Sequence, residues 1–162
     1  MKYFYHYIIL TSISLTSISF GAQDCSLYVG SCEYYLCREM YKKCGFNSYF
    51  INFGYKYCTK SFNKLATEVS SEGKSWIGLT ATCLQEQLEE IDDSESCAEI
   101  KNKATKGHSI CYNESHFCSL DVLDKLKIMK MLTPTIQEQG VFLEGIQVFS
   151  QCLHEQLFNE NI

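Results

Sequence analysis

The sequence predicts an all-α fold, a small disulfide-cross-linked helical bundle with an aromatic loop near its N-terminus. Three observations carry this prediction. The 162 residues include 10 cysteines, all beyond residue 24, an even set that reads as five disulfides formed in an oxidising compartment. Apolar residues recur at three- and four-residue steps through most of the chain, and no strand-like alternation of useful length occurs after residue 58. A single proline and 46% hydrophobic residues argue against disorder. The formal net charge is −5, a poor basis for binding nucleic acid, so that class is set aside.

The first 22 residues read as a secretion signal. Lys2 gives a weak positive start, and no acid, lysine or arginine occurs from Tyr3 to Gln23. Cleavage after Gly21 places Ser19 at the −3 position, as the small-x-small rule asks; cleavage after Ala22 places the bulky Phe20 there. A membrane anchor is the alternative. Thr11, Ser12, Ser14, Thr16, Ser17 and Ser19 dilute the apolar run, however, and make it a poor span. Residues 23–162 show no repeat, linker or low-complexity tract and read as one disulfide-rich helical domain. The expected destination is the cell exterior, or the periplasm of a Gram-negative bacterium.

Taken in order, Ser31 is the expected N-cap of a helix from Cys32 to Lys43. Cys37, Met40, Tyr41 and Cys44 make its apolar face, and Gly45 lies just past its end. Gly45 to Tyr57 is aromatic and punctuated by glycine, and reads as a loop or hairpin. Phe46, Tyr49, Phe50, Phe53 and Tyr55 within it are candidate anchors for a protein partner; the alternative is that they are core. A short helix from about Cys58 to Thr67 comes next. Another starts at Ser70 or Ser71 and runs to about Ile91, with Trp76, Thr80, Cys83, Leu84, Gln87, Leu88 and Ile91 facing inward.

Ser96 and Glu99 form a capping box for a helix from Cys97 to Cys111. Cys97, Ile100, Ala104, His108 and Cys111 share its buried face. The two end cysteines are held roughly 20 Å apart, too far to bridge each other. Each must reach a different neighbour, which makes this helix the hub of the bundle. Tyr112 to Cys118 reads as a short loop. Ser119 then caps a helix with Leu120, Leu123, Leu126 and Met129 or Met131 inward. Thr133-Pro134 opens the last helix, which carries Leu143, Ile146, Phe149, Cys152, Leu153 and Gln156.

No catalytic signature is present, and no catalytic, metal or cofactor residue is expected. Glu72-Gly73-Lys74-Ser75 ends like a phosphate-binding loop, but Glu68 stands where the earlier glycine is required. Glu89, Glu90, Asp92, Asp93, Ser94 and Glu95 lack the oxygen spacing and central glycine of a calcium loop, and acids at a helix start already suit its dipole. His108, His116 and His154 form no metal-binding pair. Disulfides consume the cysteines that a thiol nucleophile would need. Asn113-Glu114-Ser115 is a glycosylation sequon in an expected surface loop, which makes Asn113 a candidate for a sugar chain.

Several spacings stand out together: Cys32-x4-Cys37; Gly73-Lys74 with Trp76 after one further residue; Leu79 to Cys83; Cys97-x13-Cys111-Tyr112-x5-Cys118; and Cys152 inside an amphipathic helix. This order resembles that of the stanniocalcins, secreted disulfide-linked glycoprotein hormones, and covers Cys25 to about Leu157. The resemblance implies a helical, disulfide-braced fold. It also implies the pairs Cys25–Cys37, Cys32–Cys58, Cys44–Cys97, Cys83–Cys111 and Cys118–Cys152, which spacing alone does not select. By function it implies a non-enzymatic signalling or binding protein with an extracellular partner or receptor, linked to calcium and phosphate balance or to inhibition of a secreted protease. The family carries an eleventh, unpaired cysteine that links two chains. This chain has none, so a covalent dimer is not expected, and a non-covalent homodimer stays open. Two other readings compete: a secreted hydrolase or toxin using His108, His116 or His154, and a periplasmic structural protein.

Overall fold

The computed structural model describes residues 24–92, 94–133, 143, 145–152 and 154. The expected signal segment, Pro134, Leu153 and Gln156 lie outside the described residues. Every regular element among those described is helical. A 3₁₀ turn, Cys25–Tyr28, leads into α1, Glu33–Lys42. Then Tyr49–Tyr55, Lys56–Lys60, Ser61–Leu65 and Ala66–Glu68 run on without a break as one helix, α2, whose first and third pieces are π-helical. Next come α3, Ser71–Glu89, and α4, Cys97–Glu114. A 3₁₀ turn, Phe117–Ser119, joins α4 to α5, Val122–Leu132, and residues 145–152 form α6.

Five disulfides join these elements: Cys25–Cys37, Cys32–Cys58, Cys44–Cys97, Cys83–Cys111 and Cys118–Cys152. They are the same five pairs that the resemblance implies. Each holds its Cα atoms 4.9–5.8 Å apart, the ordinary bridging range. Helix α4 is tied at its start to the turn after α1, and near its end to α3. Its N-terminus carries the Ser96–Glu99 capping box in full. α3 and α4 run antiparallel, so Leu88 packs near Ile100 and Ala104, while Trp76 meets Tyr112 at the other end.

The core accordingly falls into two halves. One gathers Tyr34, Tyr35, Phe50 and Phe53 against Leu88 and Ile100. The other gathers Leu65, Trp76, Tyr112, Phe117, Ile128 and Val148. α2 contributes to both, and its geometry explains how. A four-residue step overshoots one turn of an α-helix, which takes 3.6 residues. The same step undershoots the wider i→i+5 turn of a π-helix. Alternating the two keeps Tyr49, Phe53, Tyr57, Ser61 and Leu65 in one row, with Tyr49, Phe53 and Leu65 buried and the other two half-buried. A stacked ring pair at 5.4 Å (Tyr49–Phe53) and a tilted one at 4.9 Å (Phe53–Tyr57) line its first half. The segment expected to be a loop or hairpin from Gly45 to Tyr57 is therefore helical from Tyr49 on. Its glycine has a packing cause: a Cβ on Gly54 would overlap the ring carbons of Tyr35.

Other expectations need correction. In α1 the buried face is Tyr34, Tyr35, Cys37 and Arg38, whereas Met40 and Tyr41 are exposed. The helix stops before Cys44, at a left-handed Lys43 (φ 52°). Two tyrosine rings bury more aromatic area than one tyrosine and a thioether, and the Tyr34 hydroxyl and Arg38 both find the Glu89 carboxylate, at 2.6 and 3.2 Å. The N-cap is Cys32, with no side-chain hydrogen bond, rather than Ser31. Cys97 is exposed at the end of the hub face. Helix α4 runs on through Glu114, into the expected loop. Asp121, not Ser119, caps α5, and its inward residues are Asp124, Lys125, Ile128 and Leu132, with Leu123 and Leu126 exposed. Leu143 and Ile146 are also exposed, and Val148 and Cys152 take the buried face of α6.

The close approach at Gly54 gives a direct test. Gly54→Ala should cost about 1–3 kcal/mol, because the Tyr35 ring is enclosed and the new methyl has nowhere to go. Urea unfolding would show this as a lower midpoint at unchanged slope.

Candidate functional site

Of the five aromatic anchors expected from the sequence, Tyr49, Phe50 and Phe53 are core residues and cannot grip a partner. Tyr55 is half-buried, and only Phe46 projects, at 89% exposed. Its turn is held by specific hydrogen bonds. Gly45 adopts φ 92°, and the Glu39 carboxylate accepts hydrogen bonds from the Gly45 N–H at 2.5 Å and the Ser48 hydroxyl at 2.6 Å. Ser48 in turn caps the first π-turn through the Ile51 N–H. The turn thus folds back on α1, whose outward positions include Leu36, Met40 (69% exposed) and Tyr41. Leu36, Met40, Tyr41 and Phe46 are thus exposed apolar side chains of the N-terminal half.

A second feature lies inside. A cavity of about 70 Å³ sits where the two half-cores meet, with Tyr49, Phe53, Trp76, Thr80, His108 and Tyr112 in its lining. That is more than one water needs and far less than a metabolite site usually offers. His108 stands edge-on to Phe53 at 5.5 Å and Tyr112 at 5.8 Å. Its Nδ1 lies 2.8 Å from the Ala104 carbonyl oxygen, so that nitrogen carries the proton and donates. Burial pushes the phenols of Tyr35 and Tyr49 well above their ordinary range, and both stay neutral. The buried Thr80 hydroxyl makes no hydrogen bond to any described residue. The cavity holds a histidine and hydroxyls, but aromatic rings surround the histidine.

The remaining motifs have local explanations. Gly73 lies in the first turn of α3, where a Cβ would meet Val69 at 2.6 Å and the Asp124 carboxylate at 2.7 Å; it is a packing glycine. Glu89 is engaged by Tyr34 and Arg38, Asp92 accepts from the Ser94 N–H at 2.7 Å, and Glu95 pairs with Lys103. Hydrogen bonds from Ser94 hold the Asp92 carboxyl below its ordinary pKa. Asp93 lies outside the described residues. No group of three or more histidine, cysteine, aspartate or glutamate side chains among the described residues is placed to hold a metal ion. His116 and His154 are exposed and His108 is buried. Asn113 is exposed, but in the last turn of α4 rather than in a loop, and the sequon's Ser115 is buried.

No protein-family model matches this chain, and no curated protein or solved structure matches it.

The orphaned hydroxyl at the cavity predicts an unusual sign. Thr80→Val should raise stability by about 1 kcal/mol, since it removes a buried polar group without a partner and keeps its shape. Thermal unfolding observed by circular dichroism would detect a higher Tm; a lower one would mean that the hydroxyl is satisfied in solution.

Proposed function

We propose that this chain is a secreted, non-enzymatic binding or signalling protein of stanniocalcin-like design, which presents an apolar surface on a cross-linked helical frame to an extracellular protein partner. The observation that carries this reading is the set of five disulfides between separate elements. Such bonds persist outside the reducing cytosol, and each constrains the unfolded chain by about 2–4 kcal/mol. No helix among the described residues is long and apolar enough to cross a membrane. The cysteine order shared with the stanniocalcins adds the hormone-like role. In this reading an effect on calcium and phosphate balance, or on a secreted protease, is exercised by docking rather than by chemistry. The docking surface is the outer side of α1, with Leu36, Met40 and Tyr41, together with Phe46. Rigidity matters here, because a surface that is already ordered loses little entropy when it binds.

The test uses the secreted chain as bait in conditioned medium. Met40→Asp and Phe46→Asp, both at exposed positions, should leave the circular dichroism spectrum unchanged and reduce recovery of the wild-type partner at least tenfold. Equal recovery by both variants would remove this surface from the reading. Retention of the chain inside the cytoplasm would remove the secreted role itself.

A further inference from the structure

The chain is acidic overall, at −5, yet one groove on it is edged by lysines. Lys60 and Lys64 rise from α2 on one side, and Lys127 and Lys130 from α5 on the other. Leu65 and Met131 lie between them in a depression of about 270 Å³, and Glu68 is the one acidic side chain in the lining. Lys127 is partly spoken for: it donates to the Glu68 main-chain oxygen and lies 3.8 Å from the Asp124 carboxylate. Lys60, Lys64 and Lys130 form no ion pair with a described residue. Lys60 is instead held over the Tyr57 ring at 5.1 Å, as Lys56 is at 5.5 Å. A ring orients an ammonium group without neutralising it.

The alternation of α and π turns that aligns the buried row of α2 also aligns this outer one. Lys56, Lys60 and Lys64 step by four and run along the helix rather than around it, over a length of about 12 Å. Lys60 and Lys64 of this file face the Lys127–Lys130 pair across an apolar floor, with Glu68 the single acid beside them. We propose that this groove binds a linear sulfated polysaccharide, whose sulfates meet the two lysine rows while its sugar faces rest on Leu65 and Met131. Repeated charges on a thin chain suit the geometry. A bilayer offers a plane of charge, which a recessed groove meets poorly. Lysine serves as a point charge here, and the site requires no bidentate anion recognition. That the polysaccharide is met outside the cell rests on the secreted role proposed above; binding in vitro does not, so either can fail without the other.

The experiment titrates the full-length secreted chain with a heparin octasaccharide at 50 and 150 mM NaCl. Saturable binding that weakens with salt is expected, since counterions are released. The pairs Lys60→Glu/Lys64→Glu and Lys127→Glu/Lys130→Glu should each lower affinity at least tenfold. The pair Lys74→Glu/Lys106→Glu makes the same charge change at exposed positions off the groove and should alter affinity less than twofold. If a glutamate pair lowers Tm, the neutral Lys60→Gln/Lys64→Gln pair replaces it, with a loss of at least threefold expected. No binding at 50 mM NaCl, or equal losses in the off-groove pair, overturns the proposal. So does tighter binding to vesicles of 30% phosphatidylserine that is abolished by the same variants, which would make the groove a lipid site.

Discussion

Everything in this fold is referred to one helix that cannot move. α4 is bonded at Cys97 to the turn after α1 and at Cys111 to α3. Two attachments nearly a helix length apart remove both its rotation and its sliding. At Gly107 α4 passes close under the Gln87 side chain of α3, whose amide occupies the space a Cβ would take. With α3 and α4 locked, their two ends become separate floors on which the remaining helices build. The core divides for that reason. The aromatic-lined cavity lies on the seam, where rings from both halves meet without interdigitating fully.

Helix α2 spans that seam, and it can do so only because it is not a uniform α-helix. A pure α-helix would turn a four-residue repeat progressively around its axis, and Leu65 would leave the core side that Tyr49 enters. The π-turns absorb the drift. The same correction acts on every other four-residue row of the helix, so the lysines on the outer side are as straight as the rings within. Core order and surface charge pattern are thus two expressions of a single backbone device.

That a covalent frame exists is legible in the sequence because its signal is countable: an even cysteine set implies bridges, though not which cysteines pair. The Ser96–Glu99 box and Ser70 ahead of α3 are local signals and name their own geometry. Helix faces are less legible. The buried face of α1 lies about one position from the expected one, because Arg38 is charged and its burial depends on long-range partners such as Glu89, some fifty residues away. The stretch from Tyr49 to Tyr55 hides its helix because glycine and asparagine in an aromatic run resemble a turn; only the approach of Tyr35 reveals why Gly54 is needed. Phe46 is the one member of the aromatic set left projecting, and no local pattern distinguishes it from its neighbours. Its exposure depends on Glu39 reaching forward to Gly45 and Ser48.

The inward face of α5 escapes an apolar pattern for a different reason. Its leucines Leu123 and Leu126 point outward, while Asp124 and Lys125 are buried. Among the described helices, α5 contains no cysteine, so nothing covalent fixes its position. An apolar stripe alone would let it settle in neighbouring registers of similar energy. Asp124 removes that freedom: it accepts from the Ser70 N–H at 3.1 Å and the Ser70 hydroxyl at 2.5 Å, at the very cap of α3. Only one placement of α5 gives that carboxylate its partners, and any other leaves a buried charge without them, which is costly. Lys125 is a cost of this placement rather than part of the lock, since its amine makes no hydrogen bond to a described residue and burial lowers its proton affinity. A polar lock therefore does for α5 what disulfides do elsewhere, and it also holds Lys127 and Lys130 opposite the lysines of α2.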